Sequence, residues 1–380
     1  DQTEKSNDTF EDYGLFTQVE QLNKTALKAH GLDKSGHLYK VNSFDFHRFE
    51  DTIKLADDPD YNQAAFEGML EIKGDSDHTK LIEMLDALND DTQKIDDVLD
   101  TYFDTENLVY WMAFQILTGN CDTQNRNCYL YSPLNSNTWY FLDWDNDGML
   151  RKLELSLTGF SDYASWERGA SNYWGNVLFN RALRSKSFRS ELDRAVKDLR
   201  SYLTETRLTK MIKHYREVTE SLVFASPDID NLPVTKDQYE QIAAAIPAEI
   251  EENYKSYRES FKKPMPFYIG VPQIDNGKLR INWDASYDFE ARDIRYTVEL
   301  ARDYAISDVV FKAEDVLLPE VTCDAPDTGQ YFVRVRAINS DGYTQDAFDY
   351  YVTDDGKHYG MKCFYVQGGG KVVEDTYEEG

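Results

Sequence analysis

The stretch DTENLVYWMAFQILTGNCDTQNRNCYLYSPLNSNTWYFLDWDNDG, residues 104–148, decides how the first part of the chain folds. It opens with apolar residues at helical spacing, for which Asp104 is a suitable N-cap and Gly119 a suitable end. Two short apolar runs come next, Cys128–Tyr131 and Trp139–Leu142, and the turn-forming sequence SPLNSN joins them. The stretch therefore predicts a helix, a polar loop and a β-hairpin, followed by a second, acidic loop.

The sequence on either side of this stretch completes an α+β domain. The segment from Asp12 to Lys40 is typical of strand, helix and strand, with Gly31 closing the helix. Thr79–Leu88 has apolar residues at helical intervals, and long amphipathic helices follow Trp174. We expect an α+β domain over residues 1–264, with a largely helical C-terminal half.

The pattern changes at KKPMP, residues 262–266. Beyond it come KLRINW, IRYTVELA, GQYFVRVRAI and KCFYV, separated by turn residues. The runs Leu279–Trp283 and Tyr331–Ala337 alternate apolar with basic residues and resemble fibronectin type III strands. This predicts an all-β sandwich of the immunoglobulin or fibronectin III type over 265–367. The remaining residues, 368–380, have too little apolar content to fold, so a disordered tail is expected.

The charge of the chain excludes several classes of partner. Its 69 acidic side chains outnumber 41 basic ones, which gives a formal net charge of -28. Such a field repels nucleic-acid phosphates, so we expect no nucleic-acid partner, and a bound nucleotide would need a divalent cation. No apolar run is long enough to span a membrane. The chain begins at Asp1 without signal-peptide character, so either a leader has been removed or a longer protein is represented in part.

The four cysteines fall into two sequence-local pairs, Cys121 with Cys128 and Cys323 with Cys363. Neither their spacing nor that of the six histidines fits a zinc site. Two disulfides in an oxidising compartment and four reduced thiols both agree with the pattern.

The polar loop after the first helix contains Asp122 and Asn127 in the arrangement D-x4-N. Protein kinases have this separation in the catalytic loop, where the Asp accepts the hydroxyl proton and the Asn holds magnesium. The pattern also recurs by chance in solvated turns. Common nucleotide-binding and hydrolase signatures are absent from the sequence.

The second loop carries three carboxylates at alternate positions, Asp143, Asp145 and Asp147, at the end of an apolar strand. Like charges so close together repel one another unless a cation lies among them, which predicts a divalent metal. In kinases the metal-holding Asp also ends a strand and follows the catalytic Asp at a separation similar to that between Asp122 and Asp145. An alternative is a calcium loop, because Asp143–Glu154 satisfies D-x-[DN]-x-[DN]-G-x5-E. Against it, a strand rather than a helix is predicted before the loop.

Four short motifs succeed one another along the first part of the chain: Gly14-Leu15-Phe16 with Val19-Glu20-Gln21, Gly36-His37-Leu38-Tyr39-Lys40, Gly119-Asn120-x-Asp122 with Asn127 and Tyr129-Leu130-Tyr131, and Trp144-Asp145-x-Asp147. In this order they resemble the CotH kinase family, named for a bacterial spore-coat protein and related to secretory-pathway kinases. The resemblance runs from about Tyr13 to Phe261 and implies an atypical protein-kinase-like fold for this domain. Members carry further strands with basic residues before the first motif, so the domain is expected to be truncated at its N-terminus.

The resemblance implies a role for each matching residue. Asp122 would be the catalytic carboxylate, Asn127 a metal or phosphate contact, and Asp145 a magnesium ligand with Asp147 nearby. Asp143 departs from the family pattern, which has Pro or an apolar residue before Trp-Asp, and its extra charge can recruit calcium or shift the metal geometry.

Two further residues would belong to a nucleotide-binding lobe. The resemblance implies that Lys40 contacts phosphate and that Glu20 orients Lys40 or the metal. An ordinary ion pair between strands is the alternative for these two residues.

The implied activity is that of an atypical, secreted or cell-surface bacterial kinase. It would transfer the γ-phosphoryl group of ATP to Ser or Thr of extracellular or surface proteins, with magnesium as cofactor. The alternative is a catalytically inactive, CotH-like surface adhesin or scaffold with structural calcium. The sandwich would be a binding or positioning module, in which Tyr287, Tyr343 and Tyr350 either pack or contact carbohydrate.

Overall fold

The structure, a computed structural model, describes residues 13–159, 163–354 and 356–375. Its helices are α1 (Lys24–Ala29), α2 (Gln63–Met69), α3 (Thr79–Asn89), α4 (Ile95–Tyr102), α5 (Thr105–Thr118), α6 (Lys152–Thr158), α7 (Val177–Arg184), α8 (Lys186–Tyr202), α9 (Glu205–Val223) and α10 (Lys236–Ser260). Its strands are β1 (His37–Val41), β2 (Leu70–Ile72), β3 (Cys128–Ser132), β4 (Tyr140–Asp143), β5 (Gln273–Asp275), β6 (Lys278–Asn282), β7 (Ile294–Ala301), β8 (Val309–Val316), β9 (Glu320–Asp324), β10 (Gly329–Asn339), β11 (Thr344–Asp346), β12 (Tyr350–Thr353), β13 (Gly356–Tyr359), β14 (Met361–Gln367) and β15 (Lys371–Glu374). The α+β class predicted from the sequence is confirmed.

A small antiparallel sheet, in the order β2-β1-β3-β4, supports both candidate loops. One face, which includes Tyr39 and Phe141, belongs to the main core. The other face, with Leu38 and Tyr129, packs against Leu27 of α1. Because neighbouring residues of a strand point to opposite faces, burial on both faces makes the strand sequences apolar almost throughout.

Helix α5 runs through the main core and leads into the first candidate loop. Its N-cap is Asp104, whose carboxylate accepts a hydrogen bond from the backbone N–H of Asn107 at 2.9 Å. Its C-cap is Gly119, in the left-handed conformation with φ 68°. Helices α8 and α10 pack against it, which explains why its sequence is apolar almost all round. The helix predicted for this stretch is confirmed at both ends.

Two facing sheets come after the helices. One has the strand order β5-β6-β9, and the other has β15-β14-β10-β7-β8, with β11 paired to β10. Their inner side chains, among them Leu279, Val298, Val333 and Phe364, form a second core. This arrangement is a β-sandwich. The four runs predicted as strands lie in β6, β7, β10 and β14.

Three expectations about elements need correction. The strand predicted from Asp12 onward is absent: residues 13–22 have no strand assignment, and the backbone N–H of Leu15 bonds to the Asp228 carboxylate instead of a neighbouring strand. The tail is ordered up to residue 375, because Lys371–Glu374 pairs with β14; residues 376–380 lie outside the described part. The helical C-terminal half extends only to Ser260, and beyond it the chain is mostly strand.

Residues beyond the boundary expected near residue 264 contribute to the main core of the first part. Met265 and Phe348 belong to the main core of the first part, and Tyr287 packs against it. The ring of Tyr287 stacks on Trp174 with centroids 5.3 Å apart, so for this tyrosine packing is the correct alternative. The sandwich is therefore docked on the first part through aromatic contacts.

All four cysteines lie in the described residues and are free thiols. Cys323 and Cys363 lie on β9 and β14, which belong to different sheets of the sandwich. The reduced alternative for the two sequence-local pairs is the one that the structure has.

Candidate active site

Asp122 lies in the loop between α5 and β3, where it is hydrogen-bonded to Asn127. The Asn127 Nδ2 donates to Asp122 Oδ2 at 2.9 Å, and the Arg126 Nε lies 3.6 Å from Asp122 Oδ1. Partial burial raises the pKa of the Asp122 carboxyl above its ordinary value, and the charges of Asp145 and Asp147 add to that rise. Arg126 and the Asn127 hydrogen bond act in the opposite direction. A carboxylate with a raised pKa, held by an amide, is suited to accepting a proton.

Two of the candidate residues have left-handed backbone conformations. Asn127 has φ 57° and Asp145 has φ 56°. Asn and Asp tolerate this region better than other side chains, yet it still costs on the order of 1 kcal/mol. Seven other non-glycine residues of the described part also have positive φ, so this conformation by itself does not single out these two residues.

The amide of Gln115 ties helix α5 to the acidic loop. Its Nε2 donates to Asp143 Oδ1 at 3.0 Å and to Asn146 Oδ1 at 3.1 Å. From the first loop, Asn120 lies against Gly148, where an added Cβ would come 2.6 Å from Asn120 Oδ1. The glycine thus permits the close approach of the two loops.

The metal-binding potential of this region rests on oxygen donors. Within residues 13–159, 163–354 and 356–375, no three His, Cys, Asp or Glu side chains are grouped so as to hold a metal. The expected set of three alternating carboxylates is therefore not assembled in these residues, and Asp143 accepts a hydrogen bond from Gln115. Asp145, Asp147 and the amide oxygen of Asn127 remain, and these are hard donors of the kind that magnesium takes. The donor chemistry therefore fits a divalent cation.

The calcium-loop pattern Asp143–Glu154 does not have the geometry of an EF-hand. Strand β4, not a helix, leads into the loop. The last residue, Glu154, accepts hydrogen bonds from Arg151 at 3.0 and 3.1 Å and lies in the first turn of α6. A bidentate calcium ligand at that position would have to give up this ion pair.

Glu20 and Lys40 are not paired with each other. The Glu20 carboxylate lies 2.8 Å from His30 Nε2. Lys40 Nζ is 5.8 Å from the centroid of the Trp144 ring and forms no ion pair within the described residues. Across the sheet, the partner of Lys40 is Glu71 on β2. Lys40 is therefore connected to the acidic loop through Trp144, whereas Glu20 is not.

Comparison with protein families shows which family the fold and these motifs represent. The model of the CotH kinase protein family matches residues 5–257. The chain belongs to the CotH kinase protein family. This match covers the sheet, both candidate loops and most of α10, which is the part of the chain that carries the motifs.

Other comparisons add little for this CotH family member. A search of the curated proteins finds no match. Among solved structures, a twitchin kinase region from C. elegans (Fn31-NL-kin-CRD-Ig26) is 18% identical with a TM-score of 0.19. The alignment covers 25% of this chain and 20% of that one, well under two thirds of either.

Sequence reasoning missed several residues that hold the loops of this CotH chain. Gln115 was detectable as the one amide in the apolar run from Leu108 to Leu117. Arg168 was not: its Nη1 donates to the carbonyl oxygen of Gly119 at 2.8 Å from a distant segment. Asn253 on α10 likewise donates to Leu117 O at 3.1 Å. These contacts are long-range and leave no local pattern.

Glu249 is a buried carboxylate on α10 that also supports the acidic loop. Both of its oxygens accept from the backbone N–H of Lys152 at 3.3 Å, at the start of α6. Burial raises the pKa of Glu249, and the charges of Arg168 and Lys152 act against that rise. Helix α10 thus holds the segment after the acidic loop as well as the end of α5 before the Asp122 loop.

A membrane span is not found among the helices of the described residues, none of which combines the necessary length and apolar character.

Proposed function

We propose that this chain is an atypical protein kinase that transfers the γ-phosphoryl group of ATP to Ser or Thr hydroxyls of extracellular or surface proteins. One observation carries the proposal: Asp122 and Asn127 are hydrogen-bonded in a CotH kinase-family fold, and the charges of Asp145 and Asp147 are close enough to raise the pKa of Asp122. In protein kinases an Asp, an Asn and a second Asp perform these roles together.

The reaction would use Asp122 as the base. The hydroxyl oxygen of the acceptor forms a bond to the γ-phosphorus as the bond to the oxygen bridging the β-phosphate breaks, and ADP leaves. The proton of the hydroxyl passes to the Asp122 carboxylate. A raised pKa favours this transfer, and the bond from Asn127 keeps one carboxylate oxygen in place.

Asn127, Asp145 and Asp147 would hold the magnesium ion. When bound, magnesium offsets the charge that develops on the transferred phosphoryl group. The net charge of -28 repels the phosphates of free ATP. A cation held by these residues would reduce that repulsion, because ATP would bind as a complex with the cation. Asp143, held by Gln115, would orient the loop instead of coordinating the metal.

Lys40 would contact phosphate. Its Nζ lies 5.8 Å from the centroid of the Trp144 ring, whose neighbour in sequence is Asp145, and no described carboxylate forms an ion pair with it. The Glu20 carboxylate contacts His30 and does not contact Lys40 in this structure. Glu71, the residue opposite Lys40 on β2, forms its ion pair with Lys73, at 2.5 Å.

We propose further that the protein is secreted or displayed on a bacterial cell surface and that its sandwich is of the fibronectin III type. The two sheets β5-β6-β9 and β14-β10-β7-β8 support this assignment, since the larger sheet adds only peripheral strands to that core. Tyr343 and Tyr350 are partly exposed on the sandwich, and contact with carbohydrate through them stays a prediction.

The proposal predicts different losses for two substitutions. Asp122→Asn should abolish transfer of labelled phosphate from ATP to a Ser/Thr peptide library, while calorimetry still detects binding of Mg-ATP. Asp145→Ala should lose both transfer and Mg-ATP binding. The matched control is Asp57→Asn, an exposed carboxylate in another loop, which should change neither. Normal transfer by either site variant would refute the assignment.

The adhesin alternative makes the opposite prediction in the same experiment. A calcium-dependent scaffold would bind calcium tightly and Mg-ATP not at all. The ion pair of Glu154 with Arg151 and the strand before the loop do not favour it. Calorimetry with calcium alone, set beside Mg-ATP, distinguishes the two functions.

A further inference from the structure

We infer that the β-sandwich positions the Asp122 loop through the segment Tyr163–Arg168, here named the bridge. The bridge contacts the sandwich at one end and the loop at the other. The sandwich would then be a working part of the active site and not a spacer. This inference rests in part on the proposed kinase function, but the order of the loop can be measured without it.

At its sandwich end, the bridge is held by hydrogen bonds and ring contacts. The Trp166 Nε1 donates to the carbonyl oxygen of Ala347 at 3.2 Å, and its ring meets Phe348 edge to face with centroids 5.0 Å apart. The Ser165 Oγ donates to Asp346 Oδ2 at 3.1 Å and accepts from Gln345 Nε2 at 2.8 Å. Two of these partners, Gln345 and Ala347, are fully buried, so the bridge contacts interior residues of the sandwich and not only its surface.

The strand behind these contacts belongs to the large sheet. Gln345 and Asp346 lie in β11, which pairs with β10 in the register Ala337 with Gln345 and Arg336 with Asp346. The Arg336 Nε also donates to Asp346 Oδ1 at 2.8 Å. The bridge is therefore attached to the sheet itself.

At the other end, the bridge holds the residues just before Asp122. The Arg168 Nη1 donates to the carbonyl oxygen of Gly119 at 2.8 Å. The Cys121 Sγ donates to the carbonyl oxygen of Glu167 at 2.8 Å. Cys121 is the immediate neighbour of Asp122, so a shift of the bridge moves the peptide that carries the catalytic carboxylate.

Hydrogen bonds and a ring contact also hold the residues of the bridge to one another and to Ser171. The backbone N–H of Ala164 donates to Glu167 Oε2 at 2.7 Å. The Ser171 Oγ bonds to the carbonyl oxygens of Trp166 and Arg168, both at 2.9 Å. The Arg168 guanidinium also lies over the Tyr163 ring, 4.1 Å from its centroid. Because the bridge is bonded at both ends and in the middle, we expect it to move as one piece. A packed network of this kind can couple the sandwich to the Asp122 loop.

The thiol of Cys121 provides a test that does not depend on activity. Burial raises the pKa of this thiol to about 12, so it should react slowly with an alkylating reagent while the bridge is in place. In the full chain, Trp166→Ala should increase the alkylation rate of Cys121 about tenfold, which corresponds to about 1.4 kcal/mol. Peptide mapping by mass spectrometry measures it, with the partly exposed Cys323 on β9 as the internal reference.

Conservative and alternative variants separate positioning from general damage. Trp166→Phe keeps a ring against Phe348 but loses the Nε1 bond, so an intermediate rate is expected. If Trp166→Ala does not fold, Ser165→Ala tests the same end of the bridge with a smaller change. Equal alkylation of Cys121 in the wild type and in every folded bridge variant would overturn the inference.

The activity of the same variants supplies the second readout. Trp166→Ala should lower kcat for phosphate transfer and leave the KM for ATP unchanged, because the nucleotide contacts are not part of the bridge. Arg168→Lys should retain more activity than Arg168→Ala, since a lysine keeps a donor for Gly119 O. A rise in KM without loss of kcat contradicts the positioning role. If the wild type transfers no phosphate, the kinase proposal fails, and the alkylation rates still decide the bridge.

Discussion

At the scale of single residues, the imidazole of His78 connects β1 with the segment just before α2. It should make the stability of the first domain depend on pH. The ring is fully buried and stacks on Phe66 with centroids 4.1 Å apart. Its Nδ1 lies 2.9 Å from the Tyr39 hydroxyl, and its Nε2 lies 3.1 Å from the Tyr61 hydroxyl. A neutral imidazole has one donor and one acceptor nitrogen, so it can satisfy one tyrosine as donor and one as acceptor. Protonation would remove the acceptor.

Acid should therefore destabilise the first domain through His78. Burial lowers the pKa of His78 from 6.5 to about 4, and the nearby charge of Asp77 reduces that shift. Between these two values the unfolded chain binds a proton that the folded chain does not, so stability falls as the pH falls from 6.5 to 4. The loss is on the order of 3 kcal/mol over this window and is absent above it. Urea unfolding at several pH values measures the effect.

The variant His78→Gln should flatten that pH dependence. Glutamine has a donor and an acceptor but does not titrate, so the variant should lose less stability than the wild type between pH 6.5 and 4. At neutral pH it should be less stable by about 1–2 kcal/mol, because the shape of the buried site changes. The control is His214→Gln, an exposed histidine on α9, which should keep the wild-type slope. An unchanged slope in His78→Gln would show that other groups cause the acid sensitivity.

Candidate residues that are close in sequence are the ones that the structure brings into contact. Asp122 and Asn127 lie in one loop, five residues apart, and are hydrogen-bonded, while their roles stay predictions. Glu20 and Lys40 come from different segments, and their partners depend on how those segments pack, which spacing does not reveal. In the structure the Glu20 carboxylate contacts the His30 ring, and the Lys40 ammonium lies over the Trp144 ring.

At the scale of elements, the end of α5 at Gly119 determines where the Asp122 loop begins. Gly119→Ala should destabilise the fold by about 2–3 kcal/mol, of which about 1 comes from the left-handed conformation. The rest arises because the new Cβ would lie 2.5 Å from Arg168 Nη1 and 2.6 Å from Asn253 Nδ2. Both side chains would have to move, and both hold backbone carbonyls at this helix end.

A second glycine separates the two contributions to this cost. Gly31 follows α1 with φ 73°, and nothing lies within 4 Å of a Cβ placed there. Gly31→Ala should therefore cost only the backbone contribution, about 1 kcal/mol. Urea denaturation with equal m-values gives both numbers. Equal losses for the two variants would mean that the contacts of Arg168 and Asn253 do not resist the added methyl group.

Elements were predictable where the chain carries its own signals. The helix α5 has a capping Asp, helical periodicity and a terminal glycine, and the sandwich strands alternate between turn residues. The segment at residues 13–22 has strand-like composition, but a strand also needs a neighbour, and none pairs with it in the described residues. Strand β15 shows the converse, since a weakly apolar segment is ordered by pairing with β14 and by packing of Val372 on the sandwich core.

At the scale of the whole molecule, the docking of the sandwich was not predictable from the sequence. The change of pattern after Lys262 indicates two architectures, but it does not show how they pack against each other. The aromatic residues that join the parts lie far apart in the chain, at Trp174, Tyr287 and Phe348. The amide of Asn339 adds to the junction by donating to Lys262 O at 2.8 Å.

Phe348 is the side chain that tests whether the two parts unfold together. It belongs to the main core although it lies in the sandwich sequence, and its ring contacts Trp166 and Tyr268 at centroid distances of 5.0 and 4.8 Å. Because the junction is built from such shared contacts, the wild type should show a single calorimetric transition, with equal calorimetric and van't Hoff enthalpies. Phe348→Ala should weaken the junction by about 3 kcal/mol and resolve two transitions, one for each core.

The control Tyr304→Ala removes a ring on the sandwich surface that contacts Phe332 and His358, away from the junction, and should keep one transition. Two transitions already in the wild type, or a single one in Phe348→Ala, would mean that the junction does not couple the parts.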